Sequence, residues 1–410
     1  MFFSGTGFAQ ETYGCSDPKA KNYNVLTTSN DGSCSYKATI YNPPFKYLMP
    51  DEVKETSGLI YYDNAIWTIN DSGNLPILYK LTPEAGEVIQ RIIVTNTKNN
   101  DWEALAQDDE YIFIGDFGNN SGNRKDLGIL KIKKDEISDS GDIGLSCQLI
   151  EFSYSDYPGR VEKKKENNFD CESMICIGDS LYLFSKNRGD AQTKLYRLPK
   201  KEGSYNAELI DTFNSQGLVT GADYNESSKE VTLVGYTNKT WQPFIWLLFD
   251  YKNNDLFSGN KRRVDMLNIP ATQTEAIAYI ENKDCIITSE GHKLFSQTAY
   301  DLKTGKWTDG ADVKSIENIG LIAYEVTATP ETITNEKLVV EINNAPKGNY
   351  LINLLNEEGT IMISKEIKIK NVAQNSRTKL KTHNLKPGNY KLQVISETNV
   401  KDLKIIKIED

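Results

Sequence analysis

Short runs that alternate apolar and polar residues fill most of the chain, and residues typical of turns, chiefly Gly, Asn and Asp, separate them. Helical periodicity is nearly absent. In residues 37–330 the runs form five groups of three or four short predicted strands. Successive groups begin 46, 69, 49 and 54 residues apart, at Ser57, Glu103, Glu172, Gly221 and Glu275. Diffuse repeats of this kind are typical of propeller blades, so the pattern predicts an all-β fold built on a five- or six-bladed β-propeller.

Outer, fourth strands complete most of the groups, for instance at residues 87–95, 147–154 and 207–213, whereas the last group lacks one. The run at residues 38–48 could supply it and close the ring with an N-terminal strand, which would leave no unpaired sheet edge. The second group is the longest, and its charged insertion at residues 162–168 leaves room for a sixth blade. One or two plain β-sandwiches are the alternative architecture.

Residues 331–410 differ in composition from the rest of the chain. They carry 13 Lys and Arg against 10 Asp and Glu, a net charge of +3, whereas the rest carries 34 against 47, a net charge of −13. Alternating runs separated by turns such as Lys386-Pro387-Gly388 predict a small antiparallel β-sandwich after the propeller. Its predicted strands cover residues 337–342, 349–355, 361–369, 378–382, 389–395 and 400–408.

Charge and hydropathy exclude two classes of protein. The whole chain has 47 Lys and Arg, 57 Asp and Glu, a net charge of −10 and a mean hydropathy of −0.51. An excess of negative charge repels phosphate backbones, so no nucleic acid is expected as a partner. No apolar run approaches the ~18 residues that span a bilayer, so no membrane span is expected.

The N-terminus and the cysteines favour export. Residues 1–10 are small and apolar, with Gly7 and Ala9 placed for cleavage before Gln10, which indicates the remnant of a signal peptide; an ordinary frayed terminus is the alternative. Cys15 and Cys34 bracket a polar loop and are predicted to form a disulfide, as an oxidising compartment permits. The other cysteines lie in apolar, strand-like runs and are expected to be free thiols: Cys147, Cys171, Cys176 and Cys285.

The cysteine-bracketed segment, residues 14–36, begins Gly14-Cys15-Ser16-Asp17-Pro18 and ends near Asp31-Gly32-Ser33-Cys34. It resembles the short modules of this pattern in exported proteins of Bacteroidetes. Several of its side chains carry oxygen donors that suit a hard cation, and ordinary turn residues are the alternative interpretation. These side chains are Asp17, Asn22, Asn24 and Asp31.

A second resemblance concerns residues 331–410. Gly348-Asn349-Tyr350, Leu385-Lys386-Pro387-Gly388-Asn389-Tyr390 and the ending Leu403-Lys404-Ile405-Ile406-Lys407 resemble the C-terminal sorting domain of type IX secretion substrates. The resemblance implies that the type IX secretion machinery is a partner and that the protein is secreted or held at the outer cell surface. The chain departs from the family by finishing Glu409-Asp410 instead of with a basic tail. A plain immunoglobulin-like domain is the alternative.

Two loops in residues 37–330 read Asp71-Ser72-Gly73-Asn74 and Gly115-Asp116-Phe117-Gly118-Asn119-Asn120. They resemble loops in the propellers of secreted flavobacterial proteins, and this resemblance implies no particular reaction. The chemistry of the domain is therefore predicted from its topology.

That topology predicts an acidic face. In a blade, the start of the innermost strand and the end of the second strand lie on the same face, because the two strands are antiparallel and joined by a hairpin. Carboxylates recur at both places, at strand starts in Glu103, Glu172 and Glu275 and after second strands in Asp71, Asp116 and Glu290. Neutral amide donors lie in the same loops, among them Asn74, Asn119 and Asn187.

Carboxylates that converge near an axis need a cation, a basic partner or raised pKa values to coexist. Ligands that are all oxygen suit Ca²⁺ best, so the sequence predicts a calcium site formed by these carboxylates with Asn74 or Asn119. The alternative is a salt-bridge network in which Arg124 and Arg188 neutralise Asp116 and Glu172.

A binding module is the main functional prediction, with an unknown protein or a carbohydrate as partner. Trp102 and Trp241 lie in predicted loops and could stack on sugars, whereas the other propeller tryptophans considered, Trp67 and Trp246, read as core. The alternative is a metal-dependent hydrolase of an ester, lactone or phosphoester, by architectural analogy with lactonase propellers. Its weak catalytic candidates are His292 and Glu172, because the only other histidine, His383, lies in the C-terminal domain.

Overall fold

The computed structural model describes residues 11–267, 269, 273–292, 295–309, 325–333, 337–345, 348–357, 360–370, 374–396 and 400–407. The chain divides after Asp309 into two units, and each is described by itself. Residues 1–10, which we interpret as the remnant of a signal peptide, lie outside the described residues. None of the helices in these ranges is long and apolar enough to cross a membrane.

Five blades, each of four antiparallel strands, make up most of the first unit, and each corresponds to one predicted repeat group. Ahead of them lie β1 (Tyr13–Gly14), β2 (Ser29–Asn30) and β3 (Phe45–Leu48). The first blade contains β4 (Thr56–Tyr62), β5 (Ala65–Asn70), β6 (Ile77–Leu81) and β7 (Val88–Val94). The second contains β8 (Trp102–Gln107), β9 (Tyr111–Asp116), β10 (Gly128–Lys133) and, after the short β11 (Ile143–Leu145), β12 (Gln148–Tyr154).

The remaining blades follow the same plan. The third contains β13 (Cys171–Ile177), β14 (Ser180–Ser185), β15 (Thr193–Pro199) and β16 (Gly203–Phe213). The fourth contains β17 (Leu218–Asn225), β18 (Glu230–Tyr236), β19 (Pro243–Phe249) and β20 (Asn260–Asp265). The fifth contains β21 (Thr274–Glu281), β22 (Asp284–Ser289), β23 (Thr298–Lys303) and β3, and the four-residue helix α1 (Gly305–Thr308) ends the unit.

Apolar packing between neighbouring blades holds the ring together. The unit has five hydrophobic clusters, one for each gap between adjacent blades, including the gap between the fifth blade and the first. Strands near the axis are therefore buried on both faces, and all six residues of β5 are buried, whereas β7 at the outer edge alternates between buried and exposed positions. Because apolar packing fills all five gaps, including the one between the fifth and first blades, the structure confirms a closed propeller. The insertion at residues 162–168 forms only a short 3₁₀ turn, Lys164–Glu166, so the described residues contain no sixth blade.

The N-terminal strand closes the ring, as predicted. β3 pairs antiparallel with β23, with Leu48 opposite Thr298 and Tyr47 opposite Ala299. Tyr47 is buried in the apolar cluster between the fifth and first blades, whereas the next side chain, Leu48, is exposed. Alternation along the strand therefore places one residue in the seam and the other in solvent.

Backbone pairing at the outer rim also joins blades to one another. β11, which belongs to the connection inside the second blade, pairs in parallel with β7 of the first. β12 of the second blade pairs in parallel with β16 of the third, so these two blades form one eight-stranded sheet. Ile40, on the segment that leads into β3, forms a parallel bridge with Asp265 at the end of β20.

The cysteine-bracketed module rests on the fourth blade. Cys15 and Cys34 form the predicted disulfide, and the four remaining cysteines are free, as expected. Asn30 donates a hydrogen bond to Asn260 Oδ1 at 3.0 Å, which fixes the module to β20. The oxygen donors considered for a cation serve in turns: Asp17, for example, accepts hydrogen bonds from Lys19 N at 2.8 Å and Tyr36 Oη at 2.7 Å.

The second unit is a sandwich of two sheets, as predicted. One sheet has the order β24 (Glu325–Thr329), β26 (Lys337–Ala345), β29 (Gln374–Lys381), and the other has the order β25 (Thr332–Ile333), β31 (Val400–Lys407), β30 (Gly388–Ser396), β27 (Gly348–Leu355), β28 (Ile361–Ile369). Val340 and Leu380 from the first sheet share one core with Leu354 and Leu392 from the second. Because β24 pairs with β26, this unit begins before residue 331, the boundary expected from composition.

We predict that truncation of Tyr47 to Ala weakens the propeller by about 3 kcal/mol, because it empties a buried site in the closing seam. Leu48→Ala, on the same strand, should change the free energy of unfolding by no more than about 0.5 kcal/mol, since its side chain is exposed. Urea unfolding followed by tryptophan fluorescence measures both, because all five tryptophans lie in the first unit. Equal losses in the two variants would contradict closure by β3.

Candidate functional site

Each innermost strand carries one extra residue at the same register. The pairing with the second strand shifts between Thr56 and Gly58 in the first blade and at the corresponding place in the other four. A bulge of this kind inserts one unpaired residue and re-aims its side chain. The bulged residues, called the bulge ring below, are Ser57, Glu103, Glu172, Thr220 and Glu275.

The two hydroxyl members of the bulge ring connect neighbouring blades. Ser57 Oγ donates a hydrogen bond to the carbonyl of Trp102 at 2.8 Å, and Thr220 Oγ1 donates one to the carbonyl of Thr274 at 2.5 Å. Each bond joins one innermost strand to the next one around the axis. The three glutamates do not form this bond to a backbone carbonyl, and all three line a central cavity instead.

This central cavity has a volume of about 180 Å³ and a lining that is almost entirely polar. Its upper wall comes from the ends of second strands, where Asp71, Lys186, Tyr236 and Glu290 occupy corresponding positions in four blades. The described residues that line it are Asp71, Glu103, Asn120, Glu172, Lys186, Arg188, Leu218, Tyr236, Asn238, Trp241, Gln273, Glu275 and Glu290. The structure therefore brings together five of the six carboxylates predicted for a metal.

The sixth, Asp116, lies outside the cavity lining. It is the last residue of β9 and forms an ion pair with Arg124 at 2.9 Å, and it accepts a hydrogen bond from Asn100 at 3.0 Å. The position that corresponds to Asp71 in this blade is the next residue, Phe117, which is fully buried. Because side chains alternate along a strand, an offset of one residue turns the carboxylate to the other side. The pairing of Arg124 with Asp116 is the one expected for a salt-bridge network.

The neutral amides predicted as ligands also serve elsewhere. Asn119 donates a hydrogen bond to the carbonyl of Phe169 at 3.1 Å, and Asn74 donates one to Glu55 Oε2 at 2.7 Å. Neither asparagine lines the cavity. The amide side chains that do lie there belong to residues that sequence reasoning did not select for a metal, Asn120, Asn238 and Gln273.

One side of the cavity carries its own cation. Lys186 Nζ lies 2.5 Å from Glu172 Oε2, and both side chains are buried. Burial alone would lower the pKa of Lys186, but Glu172 and the neighbouring carboxylates outweigh it and raise the pKa, so the ammonium stays charged. Arg188, expected to neutralise Glu172, instead contacts Asp170 at 3.3 Å and Asn120 Oδ1 at 2.6 Å.

The opposite side is acidic and lacks a bonded cation. Oxygen atoms of Asp71, Asp101 and Glu103 lie within 4.8 Å of one another, and this trio is called the acidic cluster below. Glu103 is 5% exposed, and no described residue forms a hydrogen bond or ion pair with its carboxylate. A Cβ atom at Gly118 would lie 2.5 Å from Glu103 Oε1, so only glycine leaves room for the carboxylate.

Burial and mutual repulsion raise the pKa values of the acidic cluster. Burial, followed by the charges of Glu172 and Asp71, raises the pKa of Glu103 well above its usual range. Burial, followed by the charge of Asp71, raises the pKa of Asp101 to about 6. Negative charge in this cluster is therefore costly unless a proton or a cation compensates it.

Aromatic residues lie at another part of the cavity. Trp241 is 38% exposed, and its ring meets the ring of His292 edge-on at 6.2 Å. The backbone of His292 exchanges hydrogen bonds with Phe295, so the described contacts of this weak catalytic candidate are with aromatic neighbours. The prediction that Trp102 is a loop residue able to stack on sugars is wrong, because Trp102 begins β8 and is fully buried. Trp67 is fully buried, as expected for core.

Comparison with known proteins identifies no relative from sequence. No protein-family model matches the chain, and no curated protein matches it. Solved structures that resemble it include an exo-β-1,3-galactanase from Phanerochaete chrysosporium (11% identity, TM-score 0.40, 93% of this chain and 98% of that one). A putative 6-phosphogluconolactonase from Bacteroides fragilis also resembles it, with 14% identity, a TM-score of 0.33 and coverage of 78% of this chain and 86% of that one. So does the WD40 domain of Toxoplasma gondii coronin, with 11% identity, a TM-score of 0.30 and coverage of 64% of this chain and 75% of that one. Similarities this low carry no argument about activity. The five blades described above give the chain a propeller-type fold.

Proposed function

We propose that the propeller is a binding module whose central cavity holds a divalent cation on the acidic cluster. The observation that supports this most directly is the carboxylate of Glu103, which is buried, has no hydrogen-bond or ion-pair partner among the described residues, and lies within 4.8 Å of the Asp71 and Asp101 oxygens. Carboxylates this close together are compensated by protons or by a metal ion.

Charge compensation within the cavity favours this side for the cation. Lys186 already neutralises Glu172 at 2.5 Å, and the nearby Gln273 donates hydrogen bonds to Glu275 at 2.8 Å and Glu290 at 2.9 Å. Glu103 has no comparable donor. A cation therefore gains most from carboxylates that the protein itself leaves uncompensated, at the boundary between the first and second blades.

The chemistry of the cluster favours Ca²⁺. Its three side chains offer only carboxylate oxygen, the ligand that hard cations prefer, and the described residues that line the cavity include neither histidine nor cysteine. Ca²⁺ accepts six to eight oxygen ligands in flexible geometry, so water could complete its shell, whereas Mg²⁺ requires a near-ideal octahedron. The disulfide suits an oxidising compartment, which supports our proposal that the protein acts outside the cell.

Export by the type IX machinery through residues 331–410 also stays a proposal. The two-sheet sandwich is compatible with it, and so is the alternative of a plain accessory domain. Hydrolysis of an ester, lactone or phosphoester likewise stays a prediction, and no contact of His292 favours it over binding.

We expect millimolar Ca²⁺ to raise the melting temperature of the full chain, relative to excess chelator, by roughly 5 °C. At 100 times Kd a ligand specific for the native state adds about 2.7 kcal/mol. Glu103→Gln should remove most of this rise, because it removes one charged ligand. Glu87→Gln, an exposed glutamate outside the cavity, should behave like the wild type. Tryptophan fluorescence follows the first unit alone.

The same melts separate loss of the ion from loss of the fold. In chelator at about pH 7.5, Glu103→Gln should melt at or above the wild-type temperature, since a buried carboxylate with a raised pKa destabilises the folded state when ionised. Superimposable wild-type curves with Ca²⁺ and with chelator would refute the cation proposal.

We also expect the calcium-dependent rise in melting temperature to grow between about pH 5 and about pH 7.5. The pKa of Asp101 is raised to about 6 and that of Glu103 well above its usual range, so protons occupy the cluster at the lower pH and compete with the ion. Without a cation, the stability of the protein changes with pH in the opposite direction. A carboxyl group whose pKa is raised in the folded state contributes stability at low pH, and this stability is lost as pH rises through that pKa. A calcium effect that is largest at about pH 5 would contradict this assignment.

A further inference from the structure

Trp241 is held at the cavity in an unusual backbone conformation. It lies in the loop between β18 and β19, where its N–H donates a hydrogen bond to Thr237 O at 2.9 Å and Gln242 O accepts one from Thr237 N at 3.0 Å. Its φ angle is +54°, in the left-handed region that bulky side chains seldom adopt. The surrounding hydrogen bonds maintain this conformation, and the indole remains 38% exposed where it lines the cavity.

Two aromatic neighbours support the indole. The ring of Tyr236 lies 6.1 Å from it in a tilted arrangement, and the ring of His292 lies 6.2 Å from it, edge-on at 82°. Tyr236 is itself buried and packs near Lys186, whose Nζ lies 5.4 Å from its ring centre. Trp241 is therefore a supported, solvent-accessible platform, unlike Trp67 and Trp102, which are fully buried.

Polar groups beside the platform can both donate and accept hydrogen bonds. Asn120, Asn238 and Gln273 contribute amides, and Arg188 contributes a guanidinium group, next to the carboxylates of the cavity. Asn120 Oδ1 accepts from Arg188 Nη2 at 2.6 Å, and Asn238 Nδ2 donates to the Arg188 carbonyl at 3.3 Å. The lining thus combines one aromatic platform with a varied set of donors and acceptors.

We propose that this cavity binds one ring of a neutral saccharide, with an apolar face of the sugar stacked on Trp241 and its hydroxyl groups bonded by the amides and carboxylates. A sugar ring has just this combination of an apolar face and a polar rim, which suits an aromatic residue next to hydrogen-bonding groups. The proposal deepens the function proposed above, because a sugar hydroxyl can also bind the cation on the acidic cluster.

Size and charge favour a neutral ring over other ligands. The cavity of about 180 Å³ is smaller than the roughly 300–1,000 Å³ of sites for drug-sized molecules, so it accepts a single ring and not a chain. Lys186 and Arg188 offset part of the negative charge of the lining, so the cavity suits an organic cation such as a polyamine less well than its carboxylates alone would. Five carboxylates in the same lining disfavour a phosphorylated sugar or another anion. The end residue of a neutral saccharide is the class that remains.

The test titrates the full chain with neutral mono- and disaccharides of glucose, galactose, mannose and xylose, after an array of the same sugars has shown which to use. Affinity is measured by isothermal titration calorimetry, which does not depend on the residue replaced, and in the wild type also by tryptophan fluorescence and protection against acrylamide quenching, because Trp241 is the most exposed tryptophan. We expect at least one sugar to bind, Trp241→Ala to weaken it at least tenfold and Trp241→Phe to restore part of the affinity. Phe45→Ala, an exposed aromatic residue on β3 outside the cavity lining, is the matched control and should bind like the wild type.

Other outcomes would overturn the inference. Sugars that leave wild-type fluorescence and array signal unchanged, in a protein that calcium still stabilises, would refute the saccharide and leave the cation proposal standing. Unaltered affinity in Trp241→Ala would refute stacking on Trp241. Tighter binding of spermidine or glucose 6-phosphate than of any neutral sugar would assign the cavity to another class of ligand. Saccharide binding that depends on Trp241 but not on calcium would support stacking on Trp241 and refute a bond between the sugar and the cation.

Discussion

One extra residue in each innermost strand determines what lies at the centre of this propeller. A regular strand would continue its alternation up to the loop, whereas the bulge turns one side chain per blade out of the paired register. Because all five blades carry the bulge at the same place, five side chains meet on one face of the ring. Two are hydroxyl groups that donate to a backbone carbonyl of the neighbouring blade, and three are glutamates that face the cavity.

The glutamates of the ring are equivalent by position but not by environment. Glu172 has a buried ammonium 2.5 Å away, and Glu275 accepts an amide hydrogen bond, whereas Glu103 faces two further carboxylates across a gap that Gly118 keeps free. The five blades are therefore nearly symmetric in their backbone, but the charges around the three glutamates differ strongly. The choice between a metal and a salt-bridge network has no single answer for the whole cavity, since an internal ion pair occupies one side and uncompensated carboxylates occupy the other.

Repeat spacing was enough to predict the blades, the closing strand and the convergence of most of the carboxylates. What it could not supply was the position of the bulge. Without the bulge, the fourth repeat is placed one residue late, at Gly221, and Thr220 is missed. Asp116 is likewise assigned to the wrong side of its strand, as its ion pair with Arg124 demonstrates. Asp101 was missed because it precedes its strand, outside the strand starts and strand ends from which the acidic face is predicted. These are errors of single residues, to which strands are most sensitive because their side chains alternate.

Backbone pairing at the outer rim joins the five blades into two groups, called arcs below. Backbone pairing between β7 and β11 and between β12 and β16 ties the first three blades together, and the segment around Ile40 and β3 ties the fourth to the fifth. The described residues show no such rim pairing between the third and fourth blades or between the fifth and first. The acidic cluster lies wholly in one arc and Trp241 in the other. A ligand that contacts both would therefore join the two arcs across seams that apolar packing closes.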